Sequence, residues 1–155
     1  MAKKSAPKDD EILFYDADEP PIPEPTFEIT LILGVGSPFG SDQAGWKAID
    51  QLLLRPEVKI AVENGTWVVQ KLDRPGMALL EIMQGFSHVI VIDAVMSDDY
   101  PAGAWLTLAR EELALLASPA STHGIGVAEA LAMGEALDVL PQQLEVWGVV
   151  VNSPS

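Results

Sequence analysis

Three side chains stand where the surrounding sequence gives them something to act on. Asp93 directly follows Val89-Ile90-Val91-Ile92, the clearest buried strand pattern in the chain. A carboxylate at the carboxyl end of a strand can hold a metal or meet a substrate amine, and its plainer role is a helix cap or turn. His123 sits in Ser121-Thr122-His123-Gly124, just ahead of an amphipathic segment. Neutral imidazole is the commonest metal donor and a flanking glycine lets it approach closely, although a lone histidine also serves structure. Asp73 precedes Arg74-Pro75-Gly76 between a strand pattern and a helix pattern. It can cap the helix, pair with Arg74, or act as a catalytic acid if its pKa is raised. One strand-end aspartate, one loop histidine and one further oxygen donor would form an open mixed N/O site. Such a site suits nickel or zinc better than magnesium. His88 begins its strand, at the opposite sheet edge from Asp93, and is assigned a structural role.

Gly34-Val35-Gly36 followed by Gly40 invites a nucleotide reading, but the third glycine of a dinucleotide fingerprint arrives one residue late. Glu63 would suit a ribose contact, whereas Asp42 in the first helical turn would repel a pyrophosphate at that helix end. Glycines for a tight turn explain the motif as well.

These residues must be positioned by strands and helices in alternation. Ile29-Thr30-Leu31-Ile32-Leu33 is a short apolar run stopping at Gly34, the pattern of a strand buried on both faces. Ser41-Asp42 signals a helix start, and Trp46, Ile49 and Leu53 recur at helical spacing. Val58 to Val62 and Trp67 to Leu72 read as strands separated by a Glu63-Asn64-Gly65 turn. A short helix is expected over Gly76 to Gln84, a strand over Ala104 to Leu108, and a helix over Arg110 to Leu116. Val127, Ala130, Leu131, Gly134 and Leu137 give a further helix, stopped before Pro141, and Leu144 to Val151 gives the last strand. Strands alternating with helices predict an α/β sandwich around a largely parallel sheet. Ligands gather at the carboxyl ends of such strands, where the loop 36–43, Asp73, Asp93 and the loop to His123 fall.

Residues 1–27 read as a disordered acidic, proline-rich leader, and residues 28–155 as a single domain. Ile12, Leu13, Phe14 and Tyr15 are the one apolar patch in that leader, a candidate docking segment. The net charge of −14 argues against nucleic acid, because neutralising phosphates takes clustered Lys and Arg. Eight acids and three lysines in residues 1–28 supply part of that charge. No apolar run approaches the ~20 residues that span a bilayer, and the N-terminus has no apolar segment of the secretory kind. The absence of cysteine excludes disulfides, thiolate metal sites and thiol nucleophiles. A cytoplasmic protein is expected.

The order of the motifs resembles the hydrogenase maturation endopeptidases. Leu33-Gly34-Val35-Gly36-Ser37-Pro38-Phe39-Gly40-Ser41-Asp42-Gln43 is similar to that family's opening strand and Gly-x-Gly-Asn-x-Leu loop, followed by acidic residues and a helix. Asp73-Arg74-Pro75-Gly76-Met77-Ala78-Leu79-Leu80 resembles its Asp-Gly-Gly-Thr-x-Gly segment before a Leu-Leu pair, shortened by two residues. Val89 to Ala94 matches the apolar strand ending in Asp-Ala, and Pro101-Ala102-Gly103 the following Pro-x-Gly. Ser121-Thr122-His123 matches the Ser-x-His before an amphipathic helix. The resemblance runs over roughly residues 29–151, and family members continue beyond the last strand with a further loop and helix.

That resemblance implies a three-layer α/β/α sandwich, phosphorylase/hydrolase-like, with a mostly parallel sheet of about five strands. It implies an endopeptidase, expected as a monomer, whose partner is the large-subunit precursor of a NiFe hydrogenase. It further implies that the precursor is recognised through its bound nickel and loses a C-terminal peptide. The implied metal contacts are Gln43, Asp93 and His123, where zinc or cadmium can stand in for nickel in vitro, and the implied catalytic residue is Asp73. Two of the departures fall on single residues. Gln43 replaces a carboxylate, offering a carbonyl oxygen without charge, and Ser37 replaces the usual asparagine. A module that binds the precursor without cutting it, and a nucleotide-binding α/β domain, are the alternative readings.

Overall fold

A computed structural model describes residues 12–23, 28–38, 40, 43–109 and 126–153. In chain order the elements are β1 (Leu13–Tyr15), β2 (Thr30–Gly36), α1 (Gln43–Leu53), α2 (Pro56–Glu63), β3 (Trp67–Asp73), α3 (Ala78–Met83), β4 (His88–Met96), β5 (Trp105–Leu108), α4 (Val127–Ala136) and β6 (Gln143–Val151). The six strands form one sheet in the order β1-β5-β6-β4-β2-β3. Strands β6, β4, β2 and β3 are mutually parallel, while β5 and β1 each run antiparallel to the inner neighbour.

Side-chain alternation along the central strands builds two cores. Leu31, Leu33, Val35, Val89, Val91 and Val95 pack with Leu79, Leu80 and Met83 of α3 and with Val127, Ala130 and Leu131 of α4. Ile32, Ile90, Ile92 and Trp147 point the other way, onto Ala48, Ile49 and Leu52 of α1 and Val58 of α2. Each such strand is apolar on both faces, which is why β2 and β4 read as unbroken hydrophobic runs. Helices on both faces complete a three-layer α/β/α sandwich.

Three expectations are corrected. Val58 to Val62 lies in the helix α2, not in a strand. Pro56 occupies the first helical position, where its missing N–H costs nothing, and Val58 is buried while Ile60 faces solvent. The first strand passes through Gly34 and ends at Gly36. A Cβ at Gly34 would lie 2.3 Å from Ile49 Cγ1, so this glycine admits α1 close to the sheet rather than making a turn. Finally, the sheet reaches upstream of the boundary set at residue 28. Leu13, Phe14 and Tyr15 pair with Thr107, Leu106 and Trp105.

This N-terminal strand is well anchored. Leu13 and Tyr15 are buried, and Phe14 stacks on Tyr100 with ring centroids 5.4 Å apart. Beyond it, the Ala17 carbonyl accepts the Trp105 indole N–H and the Asp18 carbonyl accepts an Arg55 N–H at 2.9 Å. Burial, and secondly the nearby Glu145 carboxylate, raise the Tyr15 phenol above its ordinary pKa. The remaining leader residues, 1–11 and 24–27, lie outside the described residues, as does the helix expected over Arg110 to Leu116.

Candidate active site at the carboxyl rim of the sheet

The parallel strands end unevenly, and that unevenness makes a rim. Register pairs Gly36 with Asp73 at the last position of β2 and β3. On the other side of β2, Gly34 pairs with Ile92, so Asp93 lies one step short of the Gly36–Asp73 row. Strand β4 runs on to Met96, alongside β6. Asp93 therefore lies beside the rim where β2 stops but is not the terminal residue of its own strand β4, correcting the strand end expected at Asp93-Ala94.

Helix α1 opens on this rim. A Cβ added at Gly45 would meet the Val35 carbonyl oxygen at 2.1 Å and the Ile92 carbonyl oxygen at 3.5 Å. Only glycine lets the first turn of the helix rest on the backbone of β2 and β4 this closely. Gln43, the first residue of α1, is thereby carried to the same end of the sheet as Asp73 and Asp93. Trp46, one turn further, donates its indole N–H to the Leu72 carbonyl at 3.1 Å and ties the helix start to the strand carrying Asp73. From sequence Trp46 reads only as an apolar helix position; an indole in the first turn, with an N–H that needs an acceptor, was the available signal.

Asp73 is half exposed, and its Oδ1 accepts Arg74 Nε–H at 2.8 Å. Arg74 adopts the left-handed region, φ 44°, which folds it back beside Asp73. The ion-pair role foreseen for Asp73 is thus observed, and the pair is a rim feature. Asp93 is half-buried, and its Oδ1 accepts the Ala94 N–H at 2.8 Å. By alternation Asp93 shares the face of Val91 and Val95, while Asp73 shares that of Trp67 and Val69 beneath α1. A group touching both must straddle the rim where β2 stops at Gly36.

His123 lies outside the described residues, so the expected histidine contact has no geometry here. His88 sits at the far end of the sheet, buried, with Nδ1 3.2 Å from Thr30 Oγ1 and Nε2 2.6 Å from Glu145 Oε2. Two polar partners in a buried position mark a structural histidine. Among the described residues, Asp16, Asp18 and Glu19 also bring three carboxylates within 4.8 Å of one another. They follow β1 and lie apart in sequence from the rim residues, and exposed acids gather so without any ion.

A sheet parallel over β6, β4, β2 and β3, held between two helical layers, defines an α/β/α sandwich with carboxylates at its carboxyl rim. The HycI hydrogenase maturation protease family model matches residues 74–155. The chain is 30% identical over 128 residues to the hydrogenase 2 maturation protease of Escherichia coli strain K12, covering 79% of this chain and 73% of that one. The solved structure of the hydrogenase maturating endopeptidase HybD from E. coli superposes with a TM-score of 0.59 at 26% identity, over 82% of this chain and 76% of that one. The maturation protease HybD of Thermococcus kodakarensis shares the fold, with a TM-score of 0.50 at 20% identity over 82% and 81% of the two chains. The chain belongs to the hydrogenase maturation protease family. No helix among the described residues is long and apolar enough to cross a membrane.

Proposed function

We propose that this chain is the endopeptidase that removes the C-terminal peptide from the nickel-loaded large-subunit precursor of a NiFe hydrogenase, acting as a cytoplasmic monomer. The observation that carries this reading is the shared rim. Gln43, Asp73 and Asp93 come from three separate elements to one end of the sheet. A peptide carrying a metal can meet oxygen donors there on both faces. Nickel arrives as part of the substrate, with Asp93, the Gln43 carbonyl oxygen and His123 as its contacts. These are oxygen and imidazole donors of the kind a borderline divalent ion accepts, and zinc or cadmium would fit them in vitro.

Asp73 acts on the peptide bond. With Arg74 on Oδ1, Oδ2 accepts a proton from an attacking water. The water oxygen adds to the scissile carbonyl, and the proton passes to the leaving amine as the C–N bond breaks. Because Asp73 stands on the face of α1 and Asp93 on the other, the nickel would fix the precursor while Asp73 addresses the bond beside it.

A second reading, a binder that does not cut, is favoured by one observation: Gln43 brings no charge to its position. The two separate on incubation with precursor, followed by gel mobility. The endopeptidase reading expects conversion by the wild type, at least ~100-fold slower conversion by Asp73→Asn with binding retained, and loss of binding in Asp93→Ala at little change in Tm. Binding without conversion by the wild type would favour the binder. Unfolding of Asp93→Ala would make that aspartate a structural residue.

A further inference from the structure

We propose that the outer edge of β3 is the track on which the precursor's C-terminal segment docks, as an added strand whose course ends at Asp73. This rests on the reading of the chain as a precursor endopeptidase. The sheet has two edges, β1 and β3, of unequal length. At one, β1 is three residues long and pairs with β5 on its inner side. At the other, no described residue pairs with the far side of β3, although β3 is seven residues long and spans about 20 Å.

Hydrogen bonding fixes which groups that edge presents. The Thr66 carbonyl accepts from Thr30 N–H at 2.8 Å, and Arg74 N–H donates to the Gly36 carbonyl at 3.0 Å. Both residues thus turn inward to β2, at either end of the strand. In a parallel pair, successive residues direct their N–H and C=O to alternate sides. Val68, Gln70 and Leu72 therefore also turn inward, and Trp67, Val69, Lys71 and Asp73 turn their backbone groups outward. A row of this kind is a template for another extended chain, and natural proteins usually block it. The side chain suited to guard it is drawn aside: Lys71 Nζ is held by Asp50 of α1 at 2.7 Å. The row also ends at the half-exposed carboxylate beside Arg74. An extended peptide laid on it would bring its backbone to Asp73 through main-chain bonds alone.

Two measurements on the full chain test this. Lys71→Pro removes one outward N–H and sets a ring in the path of an added strand, while sparing the ladder to β2. Lys71→Ala removes the same side chain and keeps the N–H. With nickel-loaded precursor, Lys71→Pro should raise KM about tenfold or more and Lys71→Ala should stay within about twofold. Residue-resolved amide exchange supplies the second measurement and needs no variant. Val69, Lys71 and Asp73 should exchange fast in the free protein, between slow Val68, Gln70 and Leu72, and become protected when precursor is added. Cleavage by the wild type without that protection overturns the docking track and leaves the enzyme reading standing. Binding without cleavage, with the protection present, overturns the enzyme reading and keeps the track. Protection that rises with protein concentration in the absence of precursor would assign the edge to a second copy and overturn the proposal.

Discussion

Gln43 brings a neutral carbonyl oxygen to the start of α1, within a turn of Gly45, where the helix rests on the backbones of β2 and β4. Changing it to Glu adds a negative charge at nearly constant length, and attraction in a partly dry cleft is far less screened than in water. If residue 43 faces the ion, Gln43→Glu should tighten zinc or cadmium binding by about tenfold or more, with metal-free stability unchanged. Isothermal titration at one salt concentration decides it, and equal affinities would remove Gln43 from the site. A pH effect belongs to Asp98, which follows the strand of Asp93. Its carboxylate accepts the Ser153 hydroxyl and, at 2.8 Å, the Ser153 N–H, and these bonds hold its pKa below the ordinary value. A lowered folded pKa means the link to residue 153 is complete above the unfolded carboxylate pKa and lost as pH falls through the folded one. Acidification should therefore speed exchange at Ser153 N–H while the core of β6 stays protected. At this scale the sequence reveals residue types and their order. It places Asp73 beside Arg74 because the two are neighbours. It hides that Asp73 and Asp93 sit on opposite faces, because that depends on the register of β2 with β3 and with β4.

At the scale of elements, the glycines are the clearest test. A Cβ at Gly45 would press on a backbone oxygen that cannot move without disturbing the β2–β3 and β2–β4 ladders. Gly45→Ala gains helix propensity of about 1 kcal/mol but should lose more to this overlap. A net destabilisation of about 1–3 kcal/mol is expected in chemical denaturation, with the start of α1 displaced and precursor processing reduced. An unchanged or raised stability would mean that α1 does not seat on the strand backbones. Most elements were legible because β2, β4 and β6 carry continuous apolar runs and α4 carries a helical period. The segment from Val58 to Val62 was not, since its β-branched residues at every second position mimic a strand. Pro56-Glu57 just before it marks the helix start, and burial of Val58 against the α1 core decides the outcome. Strand β1 was obscured for another reason. Three apolar residues among acids and prolines have no local reason to be a strand, and their partners lie about ninety residues away at Trp105 to Thr107.

For the molecule as a whole, the N-terminal segment and the rim make separate claims. Residues 12–23 lend Leu13 and Tyr15 to the core, the Phe14–Tyr100 stack to the loop after β4, and two carbonyls to Trp105 and Arg55. Deleting residues 1–23 should then lower stability by about 3 kcal/mol or more, given ~1.5–3 kcal/mol for each large buried side chain. An unchanged Tm would show that β1 is not part of the cooperative unit. The central claim is that this rim recognises a nickel-bearing precursor and cuts it. Intact-mass measurement, after incubating the purified chain with nickel-loaded and with nickel-free precursor, tests that claim most directly. The loaded precursor should lose the mass of a single C-terminal peptide while the nickel-free precursor keeps its full mass. Equal cleavage of both, or of neither, would overturn the proposed function.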